Sequence, residues 1–325
     1  MIVLMVLLLI AGFVGLIKGA DFFVDGSAAL ARNLKVPSLI IGLTIVAMGT
    51  SAPELAVSTS AAISGSNEIA LSNVVGSNLF NLLVVLGACA LFHNVPVDKI
   101  VLKRDFPISI GVTVLIFFVT SFGTLFSGKI FKMGMGEKGG MVYRWLGLVL
   151  LALFVAYIVY LIINAKRHPE PETEEAKKPY WKCFLLIILG LALIVGGGQA
   201  VVQSAKYIAR AAGMTETLIG LTIVAVGTSL PELVTSVVAA RKGETGLAIG
   251  NVVGSNIFNL MLILGVSSSI HPVEVNVASI FDLGILIVVN LIVFLFSISK
   301  KRVVRGEGIV MILVYIADVV FAILR

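Results

Sequence analysis

The chain has 325 residues, 58% of them hydrophobic and 13% charged, with a net charge of +6 and a mean hydropathy of +1.08. A soluble domain carries about 25% charged residues, so this composition excludes an ordinary globular enzyme, a disordered chain and a coiled coil. The basic residues are spread thinly between apolar runs, which excludes a nucleic-acid surface. What remains is an all-α polytopic membrane protein.

Ten apolar runs follow one another: 2–30, 36–64, 69–91, 106–125, 141–163, 181–211, 218–240, 246–270, 279–299 and 308–324. Most are near the roughly 20 residues that a membrane-spanning helix needs; the first and sixth are long and carry polar residues in their second halves. No basic residue precedes the first run, so it lacks the head of a signal peptide and is expected to stay as a span. Cys89 and Cys183 sit at the ends of runs, with no spacing that suggests a disulfide or a zinc site.

Basic residues divide unevenly between the two sides. Sixteen Lys and Arg fall in the loops after spans 1, 3, 5, 7 and 9, against seven on the other side, with Lys18 inside span 1. Positive charge collects in the cytoplasm. The asymmetry therefore predicts a multi-pass protein of the plasma (inner) membrane with both termini outside. The Pro- and Glu-rich stretch 164–180 reads as a cytoplasmic tether, dividing the chain into units 1–163 and 181–325.

These units repeat. Shifted by 178 residues, IGLTIVAMGTSAPELAVS meets IGLTIVAVGTSLPELVTS, and NVVGSNLFNLLVVLG meets NVVGSNIFNLMLILG. Between 39–87 and 217–265, 29 of 49 positions are identical. Five spans separate equivalent positions, and five is odd, so the copies cross the membrane in opposite directions. Inverted repeats with interrupted helices are the build of secondary transporters, with the substrate site near mid-membrane where the repeats meet.

Glu54 and Glu232 lie deep inside apolar runs at equivalent positions. An acid at that depth is costly and marks function. Pro53 and Pro231 beside them disrupt the helix and free the carbonyls of Gly49 and Gly227. Thr50, Ser51, Thr228 and Ser229 then put more oxygens one turn away. Asn73, Ser77 and Asn81 form a polar stripe at i, i+4, i+8, which Asn251, Ser255 and Asn259 repeat. Gly76 and Gly254 let neighbouring helices approach.

All of these ligands are oxygen, which suits a hard cation such as Ca²⁺. His93, His168 and His271 lie in loops or at span ends, so zinc and copper are not favoured. Two carboxylates neutralise one divalent ion, and Na⁺ fits the same oxygens.

GTSAPE and GTSLPE, with NVVGSNLFN and NVVGSNIFN, closely resemble the two alpha-repeats of the cation/calcium exchanger superfamily, in particular its compact prokaryotic sodium/calcium branch. The resemblance implies about ten helices as two inverted five-helix repeats. It implies Glu54 and Glu232 as shared Ca²⁺/Na⁺ ligands, with Thr50 and Thr228 contributing carbonyls and hydroxyls. It further implies Ser51, Ser77, Ser229 and Ser255 around flanking Na⁺ sites, helped by the carbonyls of Ala47 and Ala225, with Asn81 completing the centre. Some relatives carry an aspartate at one of the two positions held here by Asn81 and Asn259; of the two, Asn259 is the weaker ligand candidate.

Lys18, Asp21 and Asp25 share one face of span 1, where Lys18 and Asp21 read as a local ion pair. Asp282 and Asp318 receive no role.

The leading expectation is Na⁺/Ca²⁺ antiport by alternating access, with no cofactor, no protein partner and no enzymatic activity. Ca²⁺/H⁺ or K⁺-coupled exchange through the same glutamates, and a cation channel, are the alternatives. An intramembrane serine protease lacks a histidine in the spans of Ser51 and Ser229.

Overall fold

A computed structural model describes residues 2–65, 68–126, 128–167, 178–214, 223 and 225–324. Among these residues eight helices are long and apolar enough to cross a bilayer: α1 (Ile2–Leu34), α4 (Ala70–Phe92), α5 (Val101–Phe126), α6 (Arg144–Arg167), α7 (Tyr180–Ala211), α10 (Thr245–Ile270), α11 (Val277–Lys300) and α12 (Arg305–Leu324). A ninth span is broken: α2 (Ser38–Thr50) and α3 (Ala52–Ser64) meet at a 49° bend. Its counterpart in the second repeat is α8 (Ala225–Thr228) followed by α9 (Leu230–Arg241). Residues 215–217, just before the expected seventh span, and 218–222 and 224 within it lie outside the described residues, as do 168–177 of the expected tether.

The longest helices, α1 and α7, pack antiparallel. Glycines explain how closely they do so. A Cβ on Gly12 would lie 2.9 Å from the Gly197 carbonyl oxygen, one on Gly19 2.8 Å from that of Gly190, and one on Gly26 2.9 Å from that of Cys183. Gly12, Gly19 and Gly26 are seven residues apart, so they stay on one face of the helix. Small residues at such spacing let backbones touch where lipid offers no hydrophobic drive to associate.

At the centre, α4 and α10 are buried along most of their length. The last helix of each repeat crosses over to them. A Cβ on Gly87 of α4 would meet the Gly308 carbonyl of α12 at 2.9 Å, and one on Gly147 of α6 would meet that of Gly265 of α10 at 2.9 Å. Phe80 stands edge-on to Tyr315 and Phe258 edge-on to Phe154, each 80° apart, at 5.5 and 5.6 Å. Gly254 brings α10 onto α2, where an added Cβ would sit 2.8 Å from the Leu43 Cα. Gly76, its equivalent, instead lines a small cavity among α4, α11 and α12.

Two short ribbons join the repeats. β1 (Val95–Pro96) pairs antiparallel with β4 (Arg302–Val303), and β2 (Lys138–Val142) with β3 (Val273–Asn276). The first ribbon ties the loops after spans 3 and 9. Arg32 meets Glu244 at 3.1 Å and Arg241 stacks over Phe92 at 5.7 Å, joining the loops after spans 1 and 7 to that same face. Asn33 Nδ2 donates to the Lys178 carbonyl at 2.6 Å, bringing in the start of α7. The five loops that hold most of the basic residues therefore share one side. The local Lys18–Asp21 pair gives way to a longer-range one: Asp21 and Asp25 hold Lys242 at 3.2 and 2.8 Å, because packing brings the end of α9 against that face of α1.

Candidate cation site

Two helix breaks face each other at the centre. The first falls at Ser51 (φ −85°, ψ 9°) and the second at Ser229 (φ −92°, ψ 6°). Pro53 and Pro231 take the second position of the helices that follow, where a missing N–H breaks no bond. Glu54 and Glu232 come next, in the first turn, where unpaired amides and the helix dipole favour negative charge. Close packing keeps these breaks in register with the α1/α7 pair: a Cβ on Gly49 would come 3.0 Å from Phe23 and one on Gly227 2.3 Å from Val202.

Ser51-Ala-Pro-Glu54 and Ser229-Leu-Pro-Glu232 have the spacing of a helix capping box. Neither serine caps its own helix. Each crosses to the other repeat: Ser51 Oγ donates to Glu232 Oε1 at 2.7 Å, and Ser229 Oγ to Glu54 Oε1 at 3.2 Å. Both glutamates are 1% exposed. The second carboxylate oxygen of each, Oε2, is buried without a hydrogen-bond partner among the described residues.

The amides follow the same pseudo-twofold. Asn81 Nδ2 donates to Asn256 Oδ1 at 3.1 Å, and Asn259 Nδ2 to Asn78 Oδ1 at 2.9 Å. Asn78 and Asn256 in turn give their own Nδ2 to each other's backbone carbonyl, both at 3.3 Å. With their NH₂ groups engaged, Asn81 and Asn259 keep Oδ1 buried and without a donor among the described residues. Asn73 and Asn251 donate to Ser58 and Ser236, each at 2.9 Å. Thr50 Oγ1 lies 3.0 Å from Asn251 Oδ1, 3.1 Å from the Val46 carbonyl and 3.4 Å from the Ala47 carbonyl, three acceptors for one proton.

The remaining sequence-predicted residues lie on the same elements. Ser77 and Ser255 are buried on α4 and α10, and Ser255 Oγ is 3.5 Å from Asn251 Oδ1. Thr228 ends α8 and is only half-buried, unlike Thr50. The Ala47 carbonyl accepts the Ser51 N–H at 3.0 Å, so it is held within the helix rather than released by the break. Ala225 begins α8. Asn78 and Asn256 were missed by a reading that followed only i, i+4, i+8. Their signal is the i−3 position from Asn81 and Asn259, which shares the same helical face. π-turns begin at Asn81 and Asn259 (Asn81–Val85 and Asn259–Ile263), a local rewinding frequent at functional positions.

Residues 4–163 and 182–324 match the sodium/calcium exchanger protein family. The chain belongs to that family. It is 35% identical to the sodium/calcium exchanger MaX1 of Methanosarcina acetivorans, over 98% of this chain and 99% of that one. It is 32% identical to the inner membrane protein YrbG of Escherichia coli, over 93% and 91%. The solved structure of the sodium-calcium exchanger NCX_Mj superposes with a TM-score of 0.83 at 30% identity, covering 100% of both chains. The inverted-repeat, all-α membrane fold read from the sequence holds.

Proposed function

We infer that this exchanger family member is a secondary antiporter, moving Na⁺ against Ca²⁺ by alternating access through one central site. The observation that carries the reading is a set of four buried acceptor oxygens with no donor among the described residues: Oε2 of Glu54 and Glu232, and Oδ1 of Asn81 and Asn259. Buried acceptors are normally paired, since leaving one unpaired costs about 1–3 kcal/mol. A cation gives all four a partner at once, and hard oxygens in that number suit Ca²⁺. Two carboxylates balance its charge. Ser51, Ser77, Ser229, Ser255, Thr50 and Thr228, with the carbonyl of Ala225, are the groups we assign to Na⁺; the Ala47 carbonyl, engaged by the Ser51 N–H, is not among them. Exchange of sodium for calcium is also what the names of MaX1 and NCX_Mj state for those proteins.

The face with sixteen basic residues is assigned to the cytoplasm, leaving both termini outside. The units 1–163 and 181–325 are the two inverted repeats, joined by 164–180. In vesicles of purified protein with pH equal on both sides, an imposed Na⁺ gradient is expected to drive Ca²⁺ uptake. Uptake that follows only a pH or K⁺ gradient overturns Na⁺ coupling. Single-channel Ca²⁺ currents without a counter-ion overturn antiport.

A further inference from the structure

We propose that the groove between α5 and α6 is a binding site for an anionic phospholipid, with the phosphate at Arg104 and an acyl chain along the helix seam. Arg104 is held rigidly. Its Nε and Nη2 donate to the two oxygens of Asp105 at 2.7 and 2.9 Å, Tyr157 OH donates to Asp105 Oδ1 at 3.0 Å, and the guanidinium lies over the Tyr160 ring at 5.6 Å. The Arg104 side chain is 11% exposed, and its Nη1 is a buried donor with no hydrogen-bond partner among the described residues. A guanidinium presents five N–H groups in a fixed fork, so the unused nitrogen points at an acceptor outside this cluster.

Beyond Arg104 lies a groove of about 510 Å³ walled by Ile108, Gly111, Leu115, Leu153 and, at its back, Met261. Its walls are hydrocarbon. From Arg104 to Leu115 the groove follows about eleven residues of α5, roughly 16 Å at 1.5 Å per residue. One leaflet of hydrocarbon is about 15 Å deep, half the core thickness. An acyl chain anchored at Arg104 therefore spans about one leaflet, along a groove that Met261, in the π-turn that begins at Asn259, also lines.

Charge selects the headgroup. Asp105 balances Arg104, but Lys99, Lys103, Lys166 and Arg167 stand exposed at the same end of α5 and α6 against Asp98. Basic pockets between spans on the cytoplasmic side hold anionic headgroups. A free phosphate leaves the apolar groove unused, and a zwitterionic lipid leaves the surplus cations unmatched. The feature belongs to one repeat only, since Asp282 stands at the position 178 residues after Arg104.

The test is native mass spectrometry of the full chain released from vesicles of equal phosphatidylglycerol and phosphatidylcholine. The wild type is expected to retain phosphatidylglycerol in preference. Among the described residues nothing lies within 4 Å of a Cβ added at Gly111, so Gly111→Leu fills the groove without strain and is expected to lose bound lipid of both kinds. Arg104→Gln with Asp105→Asn removes the guanidinium without changing net charge and is expected to weaken retention of both lipids, whereas Lys103→Gln is expected to lower the anionic preference about fivefold. Lys103 is exposed, so that variant carries the test if another fails to fold, as judged by Na⁺-driven Ca²⁺ uptake in phosphatidylcholine vesicles. Equal retention of the two lipids by the wild type overturns the proposal. So do a preference unchanged in all variants, displacement of the adduct by inorganic phosphate alone, and a second copy of the chain in place of lipid.

Discussion

Glu54 and Glu232 are equivalent in sequence and almost equivalent in setting: each is 1% exposed, each accepts a serine from the other repeat, and each keeps one oxygen unpaired among the described residues. Replacing either by glutamine keeps the volume and removes the charge that balances the ion. Glu54→Gln and Glu232→Gln are each expected to reduce Ca²⁺ flux to background with normal expression and an unchanged elution profile; robust flux in either withdraws that residue as a ligand. Asn78 acts differently. Among the described residues its hydrogen bonds to the site run to Asn259 and Asn256, which makes it a positioning residue. Asn78→Ala frees the Asn259 amide to rotate, and is expected to weaken apparent Ca²⁺ affinity about tenfold, the equivalent of one buried hydrogen bond, without changing the pH response set by the glutamates. Ca²⁺ titration of flux at several pH values separates the two roles.

Helix contacts set a second group of expectations. Gly19→Val drives a side chain into the Gly190 carbonyl and the Ile194 amide, both 2.8 Å from the added Cβ. Overpacking of this kind costs about 1–3 kcal/mol and should appear as a lowered melting temperature in detergent. Gly196, on α7, has no described atom within 4 Å of an added Cβ. Gly196→Ala is therefore expected to be neutral or stabilising by up to about 1 kcal/mol, through helix propensity alone.

The ties between α1 and α9 are weaker in energy. Partial burial works against the Lys242 ammonium, yet hydrogen bonds and charge from Asp25 and Asp21 outweigh it and hold its pKa above the ordinary lysine value. A raised pKa means stability that is complete below the unfolded lysine pKa and lost as pH rises through the folded one. The contact thus persists at neutral pH and fails only in strong alkali. With its side chain 30% exposed, Lys242→Gln is expected to shift stability by less than about 1 kcal/mol, and less still at high salt, as a melting series in NaCl would record.

For the exchanger as one machine, charge movement is the sharpest consequence. Asn81 and Asn259 bring no charge, so the two ionised glutamates are balanced by one Ca²⁺ or by two Na⁺. A third Na⁺ held by the serine and threonine oxygens beside the glutamates would leave the Na⁺-loaded site at +1. The membrane potential then acts on the cycle with about 2.3 kcal/mol per 100 mV per charge. Exchange is expected to be electrogenic, with Ca²⁺ extrusion faster when the interior is negative. Rates that stay flat under potassium–valinomycin potentials of either sign mean electroneutral exchange. Protons compete with cations for the same carboxylates, so acidification is expected to weaken apparent Ca²⁺ affinity.

Much of this was legible in one dimension. Membrane class follows from composition, inversion of the repeats from the odd number of spans between equal motifs, and the acid pair from its depth in apolar runs. Each of these is a local or periodic property, and the duplication states it twice. The partners were not legible. Ser51-x-x-Glu54 reads as a local cap, yet its hydroxyl serves Glu232, 181 residues away. Asp21 faces Lys18 in sequence but holds Lys242 in space. Asn78 and Asn256 acquire a purpose only when α4 crosses α10. A side chain's local spacing fixes the helical face it occupies, but the glycine-lined crossings decide what that face meets. The sequence by itself thus determined the inverted-repeat membrane fold and the oxygen chemistry gathered at its centre. Only tertiary packing decided which of those oxygens are satisfied by neighbours and which four stay unpaired among the described residues.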